Sequence, residues 1–365
     1  MNYKYKISTF VNFDEWNKLL RNSEYSSFFQ TAQNIISKPN DVLPFFIMVF
    51  DQNEEIKGQL GLNIIKTSVM YSSKSLRILN KIISKITSRI IWVSGPIIHS
   101  TNNDEREKIL SEILSAVDEI SKKHNIVHIE GQTSPYDNSI DSNYLKIFEK
   151  NNYSKIDFQS FVTDLRNNKE EIWKNISKKT RGDVNRAKKR NITTKILENE
   201  YELDEFIKLN QEWCKTKGLI ITDTKKEKQL LWNNHKNGIE KIFLAYEENK
   251  LISGLRIGCF NRIAYTNFVI NSYTNSTNLG GTMLTWTALN WAKENNFNFY
   301  DFSGGPSQKN GNDDSSIQSL LFYKSKWGGE RISYYVFIKI RKKISYRIFL
   351  FLFRLLRGYH DLKGK

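Results

Sequence analysis

Apolar and polar positions along the chain fall into two rounds of one pattern. Phe45–Phe50 is an apolar run, followed by the polar turn DQNEE and a second run, IKGQLGLNII, at 56–65. β-rich segments around a polar turn predict a hairpin. Ile242–Tyr246, the turn EENK and LISGLRIGCF at 251–260 predict another, with Ile56-Lys57-Gly58 set against Ile252-Ser253-Gly254. Residues 104–124 place Ile109, Ile113, Ala116, Val117 and Ile120 on one helical face, with Asp104 positioned to cap its start. The strand-like IVHIEG then ends in Glu130. In the second round Leu284, Ala288, Leu289 and Ala292 give a helix over 279–295, and FNFYDFSGG carries a strand to Asp301. Each half reads hairpin, further strand, helix, strand, with a carboxylate at the end of the last strand. That is an α/β unit used twice. A helix–strand boundary at 153–157 places the domain change near 155. The expected domains are 1–155, completed by 331–345, and 156–330, with 346–365 as a basic amphipathic C-terminal helix.

Composition excludes a disordered chain: of 365 residues, 39% are hydrophobic and 26% charged. It also sets a sign, since 55 Lys and Arg against 39 Asp and Glu give +16, which calls for an anionic partner. That excess is local. Residues 178–190, KKTRGDVNRAKKR, hold seven basic side chains against Asp183, and 331–365 hold ten against Asp361. Outside these two stretches, 38 basic residues face 37 acidic ones. Cys214 and Cys259 are too few for a disulfide framework or a zinc site and fit buried thiols in a reducing cytoplasm. The N-terminal MNYKYKISTFVNFDEW has no signal-peptide apolar core. The run Ile348–Phe353 is far short of the ~20 residues of a spanning helix. A cytoplasmic protein without a transmembrane segment is expected.

Four segments carry chemistry, each with a plainer reading beside it. In 178–190 Arg181 and Lys188 share a helical face, for a phosphate-bearing partner or simply for solvent. In NLGG, 278–281, two glycines open a helix, where free amides hold phosphate or small residues allow tight packing. After Asp301 a Gly-rich loop leads to Tyr323-Lys324 and Trp327-Gly328-Gly329. There an ammonium among Phe322, Tyr323 and Trp327 suits cation–π contact and the stabilisation of developing negative charge; an exposed lysine beside an aromatic cluster is the alternative. In the tail, YRIFLFLFRLLRGYH interleaves Arg347, Arg354 and Arg357 with large apolar residues, as in helices lying on anionic membranes or docked on their own core. The five histidines have no metal-ligand spacing, and His128 within IVHIE reads as a core residue. Glu130 and Asp301 stand at strand ends, where α/β sites gather, or serve as caps.

The order of these segments resembles the FemABX family of non-ribosomal peptidyltransferases, built from two acetyltransferase-like (GNAT) domains. TRGDVNRAKK, YDFSGG leading to FYKSKWGGE, FFQTAQ at 28–33 and WVSGPI at 92–97 carry the likeness, over about residues 25–340. It implies two tandem GNAT-like domains, each a mixed sheet flanked by helices. It further implies transfer of an amino acid from aminoacyl-tRNA to an amine of a lipid-linked peptidoglycan precursor. No cofactor is implied beyond aminoacyl-tRNA as co-substrate. Lys324 matches a lysine that counters the oxyanion, and Glu130 a carboxylate near the attacking amine. Lys38 matches a phosphate contact, and Arg181, Lys188, Tyr265, Asp301 and Tyr323 complete the substrate-binding set. Around KTKGLIITDTKK, 215–226, the family offers an arginine and an aromatic residue to the acceptor, whereas Thr222 and Lys226 stand here, with Lys225 and Lys226 able to supply charge. An acyl-CoA-dependent GNAT-type transferase, with NLGG cradling a pyrophosphate, is the alternative enzyme; a non-catalytic protein on the membrane periphery is the alternative of another class.

Overall fold

Strand alternation and one apolar helical stripe build each half of the molecule. The structure, a computed structural model, describes residues 2–37, 42–66, 87–216, 224–272, 278–307 and 315–351. Lys38, Thr222 and the side chain of Lys226 lie outside the described residues. The chain forms two units, 1–157 with 334–365, and 158–333. The second crossing thus falls at 333/334, and the helix at 343–351 belongs to the first unit.

The strands, in chain order, are β1 (Lys4–Ser8), β2 (Val42–Phe50), β3 (Ile56–Ile65), β4 (Arg89–Trp92), β5 (Ile97–Ile98), β6 (His128–Gln132), β7 (Ser154–Asp164), β8 (Thr193–Ile196), β9 (Glu240–Glu247), β10 (Lys250–Phe260), β11 (Ile263–Asn271), β12 (Phe299–Pro306) and β13 (Glu330–Ile340). In the first unit they run β1-β2-β3-β4-β6-β13, with β5 on β3. In the second they run β8-β9-β10-β11-β12-β7. Each sheet has one parallel pair, β4 with β6 and β11 with β12, and is otherwise antiparallel. Each parallel pair is joined through a helix, Asn103–Lys123 or Leu279–Glu294, as parallel strands require.

The helix Asn103–Lys123 is capped by Asn102, whose Oδ1 accepts from the Glu105 amide at 3.1 Å. Asp104, expected at the cap, lies within the first turn, where its charge complements the helix dipole. Ile109, Ile113, Ala116, Val117 and Ile120 are buried against the sheet, each large side chain worth roughly 1.5–3 kcal/mol. The helix rests on Gly58: a Cβ there would stand 2.5 Å from Ile109 Cγ2. Its counterpart in the second hairpin is Ser253, not Gly254. Both hairpins bulge at the same place, so Gly58 pairs with Val49 next to an Ile56–Phe50 pair, while Ser253 pairs with Ala245 next to Leu251–Tyr246. The two halves therefore align one residue away from the sequence match.

The segments FFQTAQ and WVSGPI meet inside the first unit. Gln30 Nε2 donates to Gly61 O (3.2 Å) and Val93 O (2.8 Å), and its Oε1 accepts from the Gly61 amide (2.8 Å). Their role is to stitch backbone to backbone. No helix among the described residues is long and apolar enough to cross a membrane.

Candidate active site in the second unit

Strand β12 does not end at Asp301. It continues through Ser303-Gly304-Gly305 to Pro306, and the stretch read as loop begins as strand. Between Asp301 and Gly304 its register against β7 slips by one residue, with Asp301 opposite Val162 and Gly304 opposite Ser160. Such a bulge bends a strand and re-aims its side chains. Ser303 takes a left-handed φ of 58° at this point. The turned backbone lets Asp301 Oδ1 accept from the Ser303 amide at 2.7 Å and from Ser160 Oγ at 2.5 Å. Gly304 makes the bulge possible, since a Cβ there would stand 1.6 Å from Gln159 O.

Tyr265 lies directly across from Asp301 in the parallel β11–β12 register. It is buried, and burial, then the Asp301 charge, push its phenol well above the ordinary tyrosine range. Lys324 comes from the helix Ser315–Ser325. Burial pulls its ammonium down to about 8, partly opposed by the Asp301 carboxylate. It makes no ion pair among the described residues. The cation over an aromatic face is Lys326, 4.0 Å from the Phe322 centroid, and not Lys324 as the aromatic setting suggested. Trp327 is fully buried and stacks on Phe302. Desolvation without a paired anion thus sets Lys324 apart: it holds a charge poorly in the resting site and gains most when a substrate brings negative charge.

Tyr323 exposes part of its ring while its hydroxyl lies within hydrogen-bond reach of Thr282 and Thr285; burial raises its phenol. Those threonines sit in the first turns of the helix Leu279–Glu294. The NLGG glycines serve packing. The Gly281 amide is bonded to Asn271 Oδ1 at 3.1 Å, and a Cβ on Gly280 would meet Ser253 Cβ at 2.9 Å.

The basic stretch forms the helix Lys178–Lys189, with Thr180, Val184 and Ala187 buried. Arg181 turns back, its Nη1 donating to Lys174 O (2.9 Å) and Trp173 O (3.3 Å), which closes the preceding helix Lys169–Asn175. Arg186 pairs with Asp183, and Arg190 with Glu247 at 2.7 Å. Lys178, Lys179, Lys188 and Lys189 remain exposed without an ion pair among the described residues. Lys225 lies exposed at the start of the helix Thr224–Lys236.

Glu130 belongs to the first unit, near the start of a second group of charges. Burial raises its carboxyl, opposed by the Arg89 guanidinium. Arg89, lowered by burial, and His128, lowered to about 4 by burial and the Arg89 charge, stand on neighbouring parallel strands in direct register. His128 is buried as a core residue, yet its Nδ1 finds no hydrogen-bond partner among the described residues. No sequence signal pointed to Arg89, or to Ser160 beneath Asp301; both reach their groups through strand pairing.

The second unit accordingly brings Lys324, Asp301 and Tyr265 into one group, seats the Tyr323 hydroxyl on a helix start, and leaves four exposed lysines on an adjoining helix. No family model and no curated protein matches the sequence. Solved structures do match. The crystal structure of FemX superposes with a TM-score of 0.67 at 13% identity, covering 95% of this chain and 99% of that one. A tandem GNAT protein from the clavulanic acid biosynthesis pathway gives 0.55 at 10%, covering 92% and 98%. L-PGS from Bacillus licheniformis gives 0.52 at 13%, covering 92% and 95%. At such identities likeness establishes the fold alone: this chain has the FemABX-like tandem GNAT fold.

Proposed function

We propose that the protein is an acyltransferase that moves an amino acid from aminoacyl-tRNA to an amine of a lipid-linked peptidoglycan-type precursor. The observation that carries the reading is Lys324, an ammonium held in a desolvated place beside Asp301 without an ion pair among the described residues. Aminolysis of an ester needs little more. A neutral amine attacks the ester carbonyl, a C–N bond forms, and the tetrahedral oxyanion gathers charge that Lys324 offsets. The C–O bond to the tRNA ribose then breaks, and the proton lost by the amine passes to the departing oxygen. Asp301, fixed by Ser160 and Ser303, offsets part of the desolvation that burdens the lysine's charge. The exposed lysines of the helix Lys178–Lys189 suit a polyanionic donor such as tRNA. No covalent enzyme intermediate is required, since holding two substrates together supplies much of the rate.

The test is incubation with labelled aminoacyl-tRNA, or labelled acyl-CoA, and lipid-linked precursor, asking which product carries label. Label from aminoacyl-tRNA in the precursor, lost in Lys324→Ala, is the expected result. Transfer from acyl-CoA instead would overturn the donor, and full activity of Lys324→Ala would overturn the site.

A further inference from the structure

The helix at 343–351 presents two unlike faces. Inward, Phe349 is buried, its ring 5.0 Å from that of His128, with the Arg89 guanidinium 5.5 Å from its centroid. Tyr346 meets the same histidine at 4.9 Å. Outward, Ile344, Ile348 and Phe351 are 75%, 39% and 61% exposed. Their spacing of four and three puts them on one line of the helix. Lys343 and Arg347 flank that line, exposed and without an ion pair among the described residues. Neighbouring cations are already engaged: Lys339 and Arg341 pair with Asp118, and Lys342 with Asn125.

From this geometry we infer that the outer face of the helix 343–351 seats the protein on an anionic lipid bilayer, with Ile344, Ile348 and Phe351 entering the apolar boundary and Lys343 and Arg347 meeting headgroups. Docking on the protein's own core and contact with a membrane are thus no longer alternatives; each takes one face. Charge complementarity selects the occupant. From 331 to 351 the sequence has no acidic residue, and beyond it Arg354, Arg357, Lys363 and Lys365 stand against Asp361 alone. An apolar line flanked by one sign of charge suits an interface that is apolar inside and anionic at its surface. The inference stands on the helix and not on the transfer chemistry.

Sedimentation of the full chain with vesicles tests it, using phosphatidylcholine alone and phosphatidylcholine mixed with phosphatidylglycerol. Binding is expected to the mixed vesicles, weakening with added salt. Lys343→Gln and Arg347→Gln should each weaken it ~fivefold, and Ile344→Glu with Phe351→Glu by about tenfold or more. Melting temperature checks the fold, and the glutamine variants serve if the glutamate ones lower it. Absence of wild-type binding, or binding unchanged by all four substitutions, overturns the inference. So does a lipid-independent dimer that Ile344→Glu abolishes. Vesicle binding is read without any transfer reaction, so it stands or falls separately from the proposed activity.

Discussion

Replacing Lys324 by methionine should make the protein more stable at neutral pH while removing its activity. The ammonium is held at about 8 against an ordinary 10.5. That difference corresponds to roughly 3 kcal/mol against the charged form, or roughly 2 after discounting for the part of the side chain still in water. An unfolded lysine keeps its ordinary value, so between about pH 8 and 10.5 the unfolded chain binds more protons than the folded one. Stability therefore rises with pH across that window, and below it the full penalty is present. Methionine fills a similar volume without charge, and Asp301 keeps its bonds from Ser160 and Ser303, so no carboxylate is orphaned. At neutral pH the variant should melt roughly 4–8 °C above wild type. The gap should close as the pH passes through the window. Thermal melts across that pH range, paired with the transfer assay, read both effects. A variant less stable than wild type at neutral pH, or a gap that does not change with pH, would refute the reasoning.

Other substitutions separate structural from functional roles. Arg181→Ala should cost about 1 kcal/mol of stability by freeing the Trp173 and Lys174 carbonyls, measured by denaturant unfolding. Lys188→Ala should leave stability unchanged but weaken tRNA binding, lowering the salt-dependence slope by about 0.7–0.9 in filter binding. Gly304→Ala places a methyl group on Gln159 O and should lower the melting point sharply with loss of transfer; a normal melting curve would show the bulge to be dispensable.

The repeated α/β unit was legible because burial imposes periods. Period two marks the hairpins at 42–65 and 240–260, and the 3.6-residue period marks the buried stripe from Ile109 to Ile120. Lys324 and Tyr323 stood out as a lysine in an aromatic-flanked segment and Asp301 as a carboxylate near a strand end, whereas the pairing of Tyr265 with Asp301 came only with the β11–β12 register. The Arg181 phosphate contact was not to be had from composition, because a guanidinium that caps a helix looks the same in sequence as one that faces solvent. The packing role of the NLGG glycines was hidden for a related reason: Asn271, which occupies the Gly281 amide, arrives from a different strand.

Residue order along the chain settles the local layer: which segments are strands or helices, that the unit is used twice, and that nearly all the excess charge sits in two stretches. Those follow from solvent, side-chain shape and neighbours along the chain. The rest came with packing in three dimensions. It set the bulge that turns Asp301 toward Ser160, the one-residue offset between the two halves, the desolvation that pulls Lys324 down to about 8, and the division of the helix 343–351 into a docked and an exposed face. Each depends on atoms far apart in sequence excluding water from one another, and no local pattern encodes which of them will meet.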